Sequence, residues 1–205
     1  MMVASGQDCA KRNERAQLQR ERILCAAQKC FIEHGFHAAS MASIAEAAQM
    51  SAGLIYRYFE NKNAIILAII ARQLEEKQAD IAALQTESDL APRIRELFQS
   101  WQGGDSEVMS APLFLEMTAE ASRDRQIGTA LRDADERTRA EFSRWLSQRK
   151  SSAGKAIVEE EVQWRAFALQ CFIEGLAIRA IREPELDKKV LDESLKMLLP
   201  VILMG

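Results

Sequence analysis

The sequence predicts an all-α protein of about nine helices, divided into a small N-terminal part and a larger body. Only four prolines and nine glycines punctuate its 205 residues, and no run alternates polar residues with β-branched apolar ones as a half-buried strand requires. Apolar residues instead recur at helical spacing in long segments. The apolar share of 48%, with 28% charged residues, is that of an ordinary folded protein. No stretch approaches the roughly 18 apolar residues of a membrane span, and the N-terminus lacks the apolar core of a signal peptide, so a cytoplasmic protein is expected.

Residues 1–17 are mostly polar, with Lys11, Arg12 and Arg15, and lack an apolar period; a mobile basic arm is expected there. A first helix follows over about 18–34, with Ile23, Ala27, Cys30 and Phe31 on one face. Gly35 stops it, and Phe36 is placed to pack back on its last turn. The start of the next helix, about 41–48, is marked twice: Ser40 can cap it, and Ser43 with Glu46 reads as a capping box. Ser51 caps a third helix, 52–59, and Asn61 precedes a long one over about 62–84 carrying Ile65, Ile69 and Leu74.

Five further helices are predicted at about 91–102, 111–122, 125–150, 159–183 and 187–199. Pro92 and Pro112 fall in first turns, where proline removes no helical hydrogen bond. Gly103–Gly104, Ser122–Asp124, Ser151–Gly154 and Pro184 separate these helices, and Pro200 ends or kinks the last.

Two short helices joined by a tight turn bury little alone, so their place directly after a longer amphipathic helix suggests a helix-turn-helix domain over 18–61, packed on the first helix through Ile44, Ala45, Ala48, Met50 and Ile55. The second short helix is then the reading helix. Ser51, Ala52, Gly53 and Leu54 are slender enough to enter a DNA major groove, and Tyr56, Arg57, Tyr58 and Lys62 offer hydroxyl and cationic donors. Phe59 is better placed to fill the junction with the long helix. Charge agrees with this division: eight basic and six acidic residues fall through Lys62, a net of +2, leaving −5 for the rest of a chain whose net charge is −3.

The run from Ser40 to Lys62, in which an Ile-Ala helix leads through Ser-x-Gly-x-x-Tyr-x-Tyr-Phe-x-x-Lys, resembles the signature of the TetR family of transcriptional regulators over about residues 20–67. By that resemblance Ser40, Ser51, Ala52, Gly53, Tyr56, Arg57, Tyr58 and Lys62 match positions that face a double-stranded, palindromic operator. One residue departs from the pattern. Gln49 stands in the turn where the family has glycine, so it either carries backbone strain at positive φ or makes a different turn.

Residues 62–205 are expected to bind a small, largely apolar effector and to dimerise. The helix of about 159–183 is apolar on most sides and must be buried on most sides, one against the body and the other against a second copy joined by the last helix. Aromatic and sulfur side chains are the candidate cavity lining: Phe98, Trp101, Phe114, Met117, Phe142, Trp145, Trp164, Phe167 and Cys171. Glu116, Glu120 and Glu174 interrupt apolar stretches, where they either meet a cationic or hydrogen-bonding ligand, pair with arginines, or reach solvent.

His34 and His37 are the only histidines and Cys9, Cys25, Cys30 and Cys171 show no paired spacing, so neither a metal nor another cofactor is implied. No catalytic triad, phosphate-binding loop or carboxylate–histidine cluster is visible, which argues against an enzyme. Two alternatives share the scaffold: a thiol-based redox-sensing regulator, and a helical interaction protein without DNA binding.

Overall fold

The computed structural model describes residues 4–84, 89–103, 110–148 and 158–204. These form nine helices and no strand: α1 (Ala4–Ala38), α2 (Met41–Ala47), α3 (Ala52–Tyr56), α4 (Lys62–Ala83), α5 (Leu90–Gly103), α6 (Ala111–Ala121), α7 (Arg125–Ser147), α8 (Glu159–Arg182) and α9 (Lys188–Met204). None of them is long and apolar enough to cross a membrane. The expected separator around Ser151–Gly154 lies outside the described residues.

Helix starts follow local chemistry. Ser40 accepts from the backbone N–H of Ser43, whose hydroxyl in turn accepts from the Ser40 N–H, so the capping box is Ser40 with Ser43 and Glu46 stays exposed. Ser51 Oγ accepts from Leu54 N at 3.3 Å, and Asn61 Oδ1 from Ala64 N at 2.8 Å. Asp124 caps α7 through two backbone N–H groups and also accepts from Asn63 of α4 at 2.7 Å. These bonds to the anionic form, with the Ile127 N–H the strongest, hold its carboxyl below the usual range.

Two departures from the sequence reading have physical causes, and Gln49 takes the first of the two alternatives left open for it. Helix α1 begins at Ala4, so residues 4–17 continue the helix where an arm outside it is expected. That stretch has no proline and is rich in Ala, Gln, Glu, Lys and Arg, strong helix formers that need no buried face to extend a helix anchored further along. Pro200 does not end α9. Leu199 and Leu203 are buried on either side of it, and their burial carries the helix through a residue that costs about 3 kcal/mol in a helix interior. Gln49 keeps the turn and adopts φ 52, with its carbonyl accepting from Arg22 at 3.3 Å.

Two buried clusters organise the packing. The first joins Ile23, Phe31, Ile44 and Ile55 of α1–α3 to Ile65 and Ile69 of α4, Leu113 and Met117 of α6, and Ile127 of α7. The second lies within the body and gathers Phe98 and Trp101 of α5, Phe142 and Trp145 of α7, Val162 and Leu169 of α8, and Leu191 to Leu203 of α9. The N-terminal helices therefore share one apolar core with the body.

Gly35 shapes their junction. It sits at φ 76, ψ 159, a conformation essentially reserved for glycine, and breaks the regular course of α1. The break turns the Phe36 N–H toward α6, where Glu116 Oε2 accepts from it at 3.1 Å. One turn further along α6, the buried Glu120 carboxylate lies 3.1 Å from His37 Nε2.

Candidate nucleic-acid interface and internal chamber

The short helix α3 divides cleanly between two environments. Ile55 and, just beyond the helix, Phe59 are buried, whereas Ser51, Ala52, Gly53, Tyr56 and Arg57 are exposed. Tyr56 is 56% exposed, so its ring is not part of the core. A methyl group built on Gly53 would meet nothing within 4 Å, so the helix presents a flat, slender entry at its N-terminal end. Leu54 and Tyr58 are half-buried, and Tyr58 packs against the first core. Arg20 of α1 braces the junction, donating to the Tyr58 carbonyl at 3.2 Å with its guanidinium 4.4 Å from the Phe59 ring centre.

Lys62 is not a free cation at this surface, contrary to the sequence expectation. Its ammonium donates to the carbonyls of Phe36, His37 (3.3 Å) and Ala39 (2.7 Å), and lies 4.5 Å from the Phe36 ring centre. Desolvation there pushes its pKa down. The lysine thus closes the C-terminal end of α1 with a charge suited to exposed carbonyls. Replacing it as Lys62→Met, which keeps the apolar stem, is expected to cost about 1.5–3 kcal/mol of stability in urea unfolding and to leave the salt dependence of DNA binding unchanged. A salt slope reduced by about one would instead place the ammonium on a phosphate. Ser40 is exposed, but its Oγ is already committed to α2, accepting from Ser43 N at 3.0 Å.

Residues 23–69 match the profile of the bacterial regulatory proteins of the tetR family. The chain thus carries the N-terminal domain of the tetR-family regulators. Its N-terminal stretch is 45% identical over 64 residues to the HTH-type transcriptional regulator UidR of Escherichia coli, covering 31% of this chain and 33% of that relative. The similarity to this curated relative thus spans about a third of its length. Across the whole fold, Salmonella enterica GusR superposes with a TM-score of 0.72 at 26% identity, covering 90% of this chain and 95% of that one. Bacillus subtilis FadR, solved in complex with stearoyl-CoA, shares the fold with a TM-score of 0.66 at 19% identity over 90% and 98% of the two chains.

In the body a partly open chamber of about 450 Å³ lies among α4, α6, α7 and α8, with the exposed Thr118, Ser122 and Arg132 at its rim. A second compartment of about 90 Å³ adjoins it toward α5, and Lys77, Thr138 and Glu174 line both. Of the aromatic and sulfur residues expected to form a cavity, Phe114 and Met117 line the larger compartment and Phe142 the smaller. Phe98, Trp101 and Trp145 lie instead in the second core, where the Trp145 indole N–H donates to the Leu84 carbonyl at 3.1 Å. Trp164, Phe167 and Cys171 are displaced furthest from expectation, being exposed on the outer face of α8.

The chamber's polar lining escaped the sequence reading. Gln73, Lys77, Asp135 and Glu174 come from three helices, and only Glu174 is among the candidates named from sequence. The available signal was Gln73 and Lys77, four residues apart on the buried face of α4. Burial pushes the Lys77 pKa down, while burial and then Glu174 push the Asp135 carboxyl up. Glu116 and Glu120 hold the α1 junction instead, and of Cys25, Cys30 and Cys171 only Cys30 is buried, which raises its thiol pKa.

Proposed function

We propose that the protein is a homodimeric transcriptional repressor that holds a two-fold symmetric operator through α3 and releases it when a small, largely apolar molecule fills the chamber. The observation that carries the reading is the exposed face of α3, where Ser51, Ala52, Gly53, Tyr56 and Arg57 stand clear while the other side of the helix is anchored in the core. Slender residues admit the helix to the major groove, and the tyrosine hydroxyl and the guanidinium supply donors to phosphates or base edges. Repression by occlusion requires nothing beyond operator binding.

The dimer is supported by the face left uncovered on α8. Trp164, Phe167, Ala168, Cys171 and Gly175 fall on one stripe at helical spacing and are all exposed, with Trp164 67% and Phe167 54% exposed. Val190, Met197 and Val201 add a stripe on α9. Two apolar stripes on adjacent helices exceed the scattered exposure ordinary for a monomer. Ligand control is supported by the position of α6, which lines the chamber with Phe114 and Met117 and grips the α1 junction with Glu116 and Glu120. A molecule that favours a displaced α6 shifts the population away from the operator-competent arrangement.

Selection of bound sequences from random DNA should yield a palindrome with half-sites about one helical turn apart. Tyr56→Ala and Arg57→Ala are each expected to weaken binding to it by roughly ten- to hundredfold, about 1–3 kcal/mol, with unchanged helicity. Wild-type affinity in both folded variants would overturn the assignment of α3 as the reading helix.

A further inference from the structure

The two compartments differ in chemistry. Toward α5 the lining is apolar, with Ile81, Leu90, Ile94 and Phe142, and its charged pair is satisfied internally, Arg93 donating to Asp80 at 2.7 Å. The larger compartment holds one buried polar group that lacks a partner among the described residues, the Gln73 amide. Gln73 is 4% exposed and its Nε2 has nothing to donate to. The Lys77 ammonium, desolvated beside it, faces Asp135 and Glu174 without a direct ion pair to either among the described residues. Glu174 accepts from Gln170 at 3.0 Å, which leaves acceptor capacity on both of its oxygens. The hydroxyls of Thr118, Ser122 and Thr138 donate to backbone carbonyls and keep only acceptor capacity.

The charges lining the larger compartment balance, Lys77 and the rim residue Arg132, which is exposed, against Asp135 and Glu174. A charged ligand head would therefore leave one uncompensated charge among these partly desolvated groups, at a cost an uncharged head avoids. An uncharged head bearing several hydroxyls meets both needs, because each hydroxyl can donate to a carboxylate and accept from an amide or ammonium N–H. An apolar head would leave the Gln73 amide buried without a partner. The adjoining apolar compartment takes a segment with no hydrogen-bonding capacity.

We propose that the chamber binds an uncharged amphiphile, with a hydroxyl-bearing head among Gln73, Lys77, Asp135 and Glu174 and an apolar segment directed toward α5. This rests on the proposed function only in taking the chamber as the effector site. The test uses the full chain without DNA and three probes sharing one octyl chain: octyl glucoside, octanoate and octyltrimethylammonium. Calorimetry is expected to show octyl glucoside binding about tenfold more tightly than either ion.

The ranking should then move in opposite directions with the lining. Lys77→Met leaves a surplus negative charge and should favour octyltrimethylammonium, whereas Asp135→Asn leaves a surplus positive charge and should favour octanoate, each by about tenfold. Wild-type protein that binds an ion as tightly as the glucoside, or binds none of the three, overturns the proposal. So does a ranking that both folded variants leave unchanged. Operator release is measured separately: octyl glucoside that binds with this pattern yet leaves DNA affinity intact supports the chamber assignment and overturns ligand control.

Discussion

Trp164→Glu combined with Phe167→Glu is expected to convert the protein to a monomer and to weaken operator binding by roughly 10²–10⁴-fold. Both side chains are more than half exposed in the single chain, so folding loses little when they change. The new carboxylate at position 167 even has a partner within the subunit, because the Arg139 guanidinium lies 5.1 Å from the centre of the Phe167 ring. Association is affected differently. Each aromatic ring removes about 150–250 Å² from water when covered, worth several kcal/mol at roughly 25 cal/mol per Å². A two-fold axis applies each change twice and brings like charges into a desolvated contact.

Operator binding follows because a dimer makes the second half-site contact at the high effective concentration set by the first, an advantage a monomer lacks. Sedimentation should show a single subunit mass, circular dichroism should be unchanged, and affinity for an isolated half-site should match that of a wild-type subunit. A variant that still sediments as a dimer would place the interface elsewhere.

The helix pattern was legible because its signals are local. Ser40, Ser51, Asn61 and Asp124 each cap a helix through a backbone N–H two or three residues ahead, and such bonds depend on nothing distant. The residues whose surroundings differ from expectation owe this to parts of the fold far along the chain. Lys62 carries the family's motif, yet its ammonium reaches back 26 residues to the Phe36 carbonyl, and no spacing rule anticipates that. Trp164 and Phe167 look like core residues in sequence because an aromatic on an apolar helix reads the same whether it faces the subunit's interior or its outer surface. The chamber illustrates the same limit, since Gln73, Asp135 and Glu174 converge only after α4, α7 and α8 have packed.

Phe31→Ala is expected to destabilise the chain by about 3–5 kcal/mol, against the roughly 5–15 kcal/mol that holds a typical domain folded. The Phe31 side chain is fully buried, and its ring centre lies 5.2 Å from that of Phe36. Its cluster includes Leu113 and Met117 of α6 and Ile127 of α7, so the loss falls on the junction of the N-terminal helices with the body as well as on the N-terminal core. In a chain of this length the change corresponds to a fall in melting temperature of about 10 °C. Because the core is shared, N-terminal helices and body should melt in one cooperative transition, at the same temperature by far-UV dichroism and by tryptophan fluorescence from Trp101, Trp145 and Trp164, all three in the body. Phe31→Leu, which preserves most of the volume, should recover most of the loss. The functional consequence follows from Phe36: a loosened ring stack frees the backbone that holds the Phe36 N–H against Glu116. The folded fraction of Phe31→Ala should therefore bind operator more weakly than wild type, even though the substituted ring is fully buried and lies off the exposed face of α3. Two separate melting transitions, with the body's unchanged, would show that the two parts are stabilised independently and that no shared core links them.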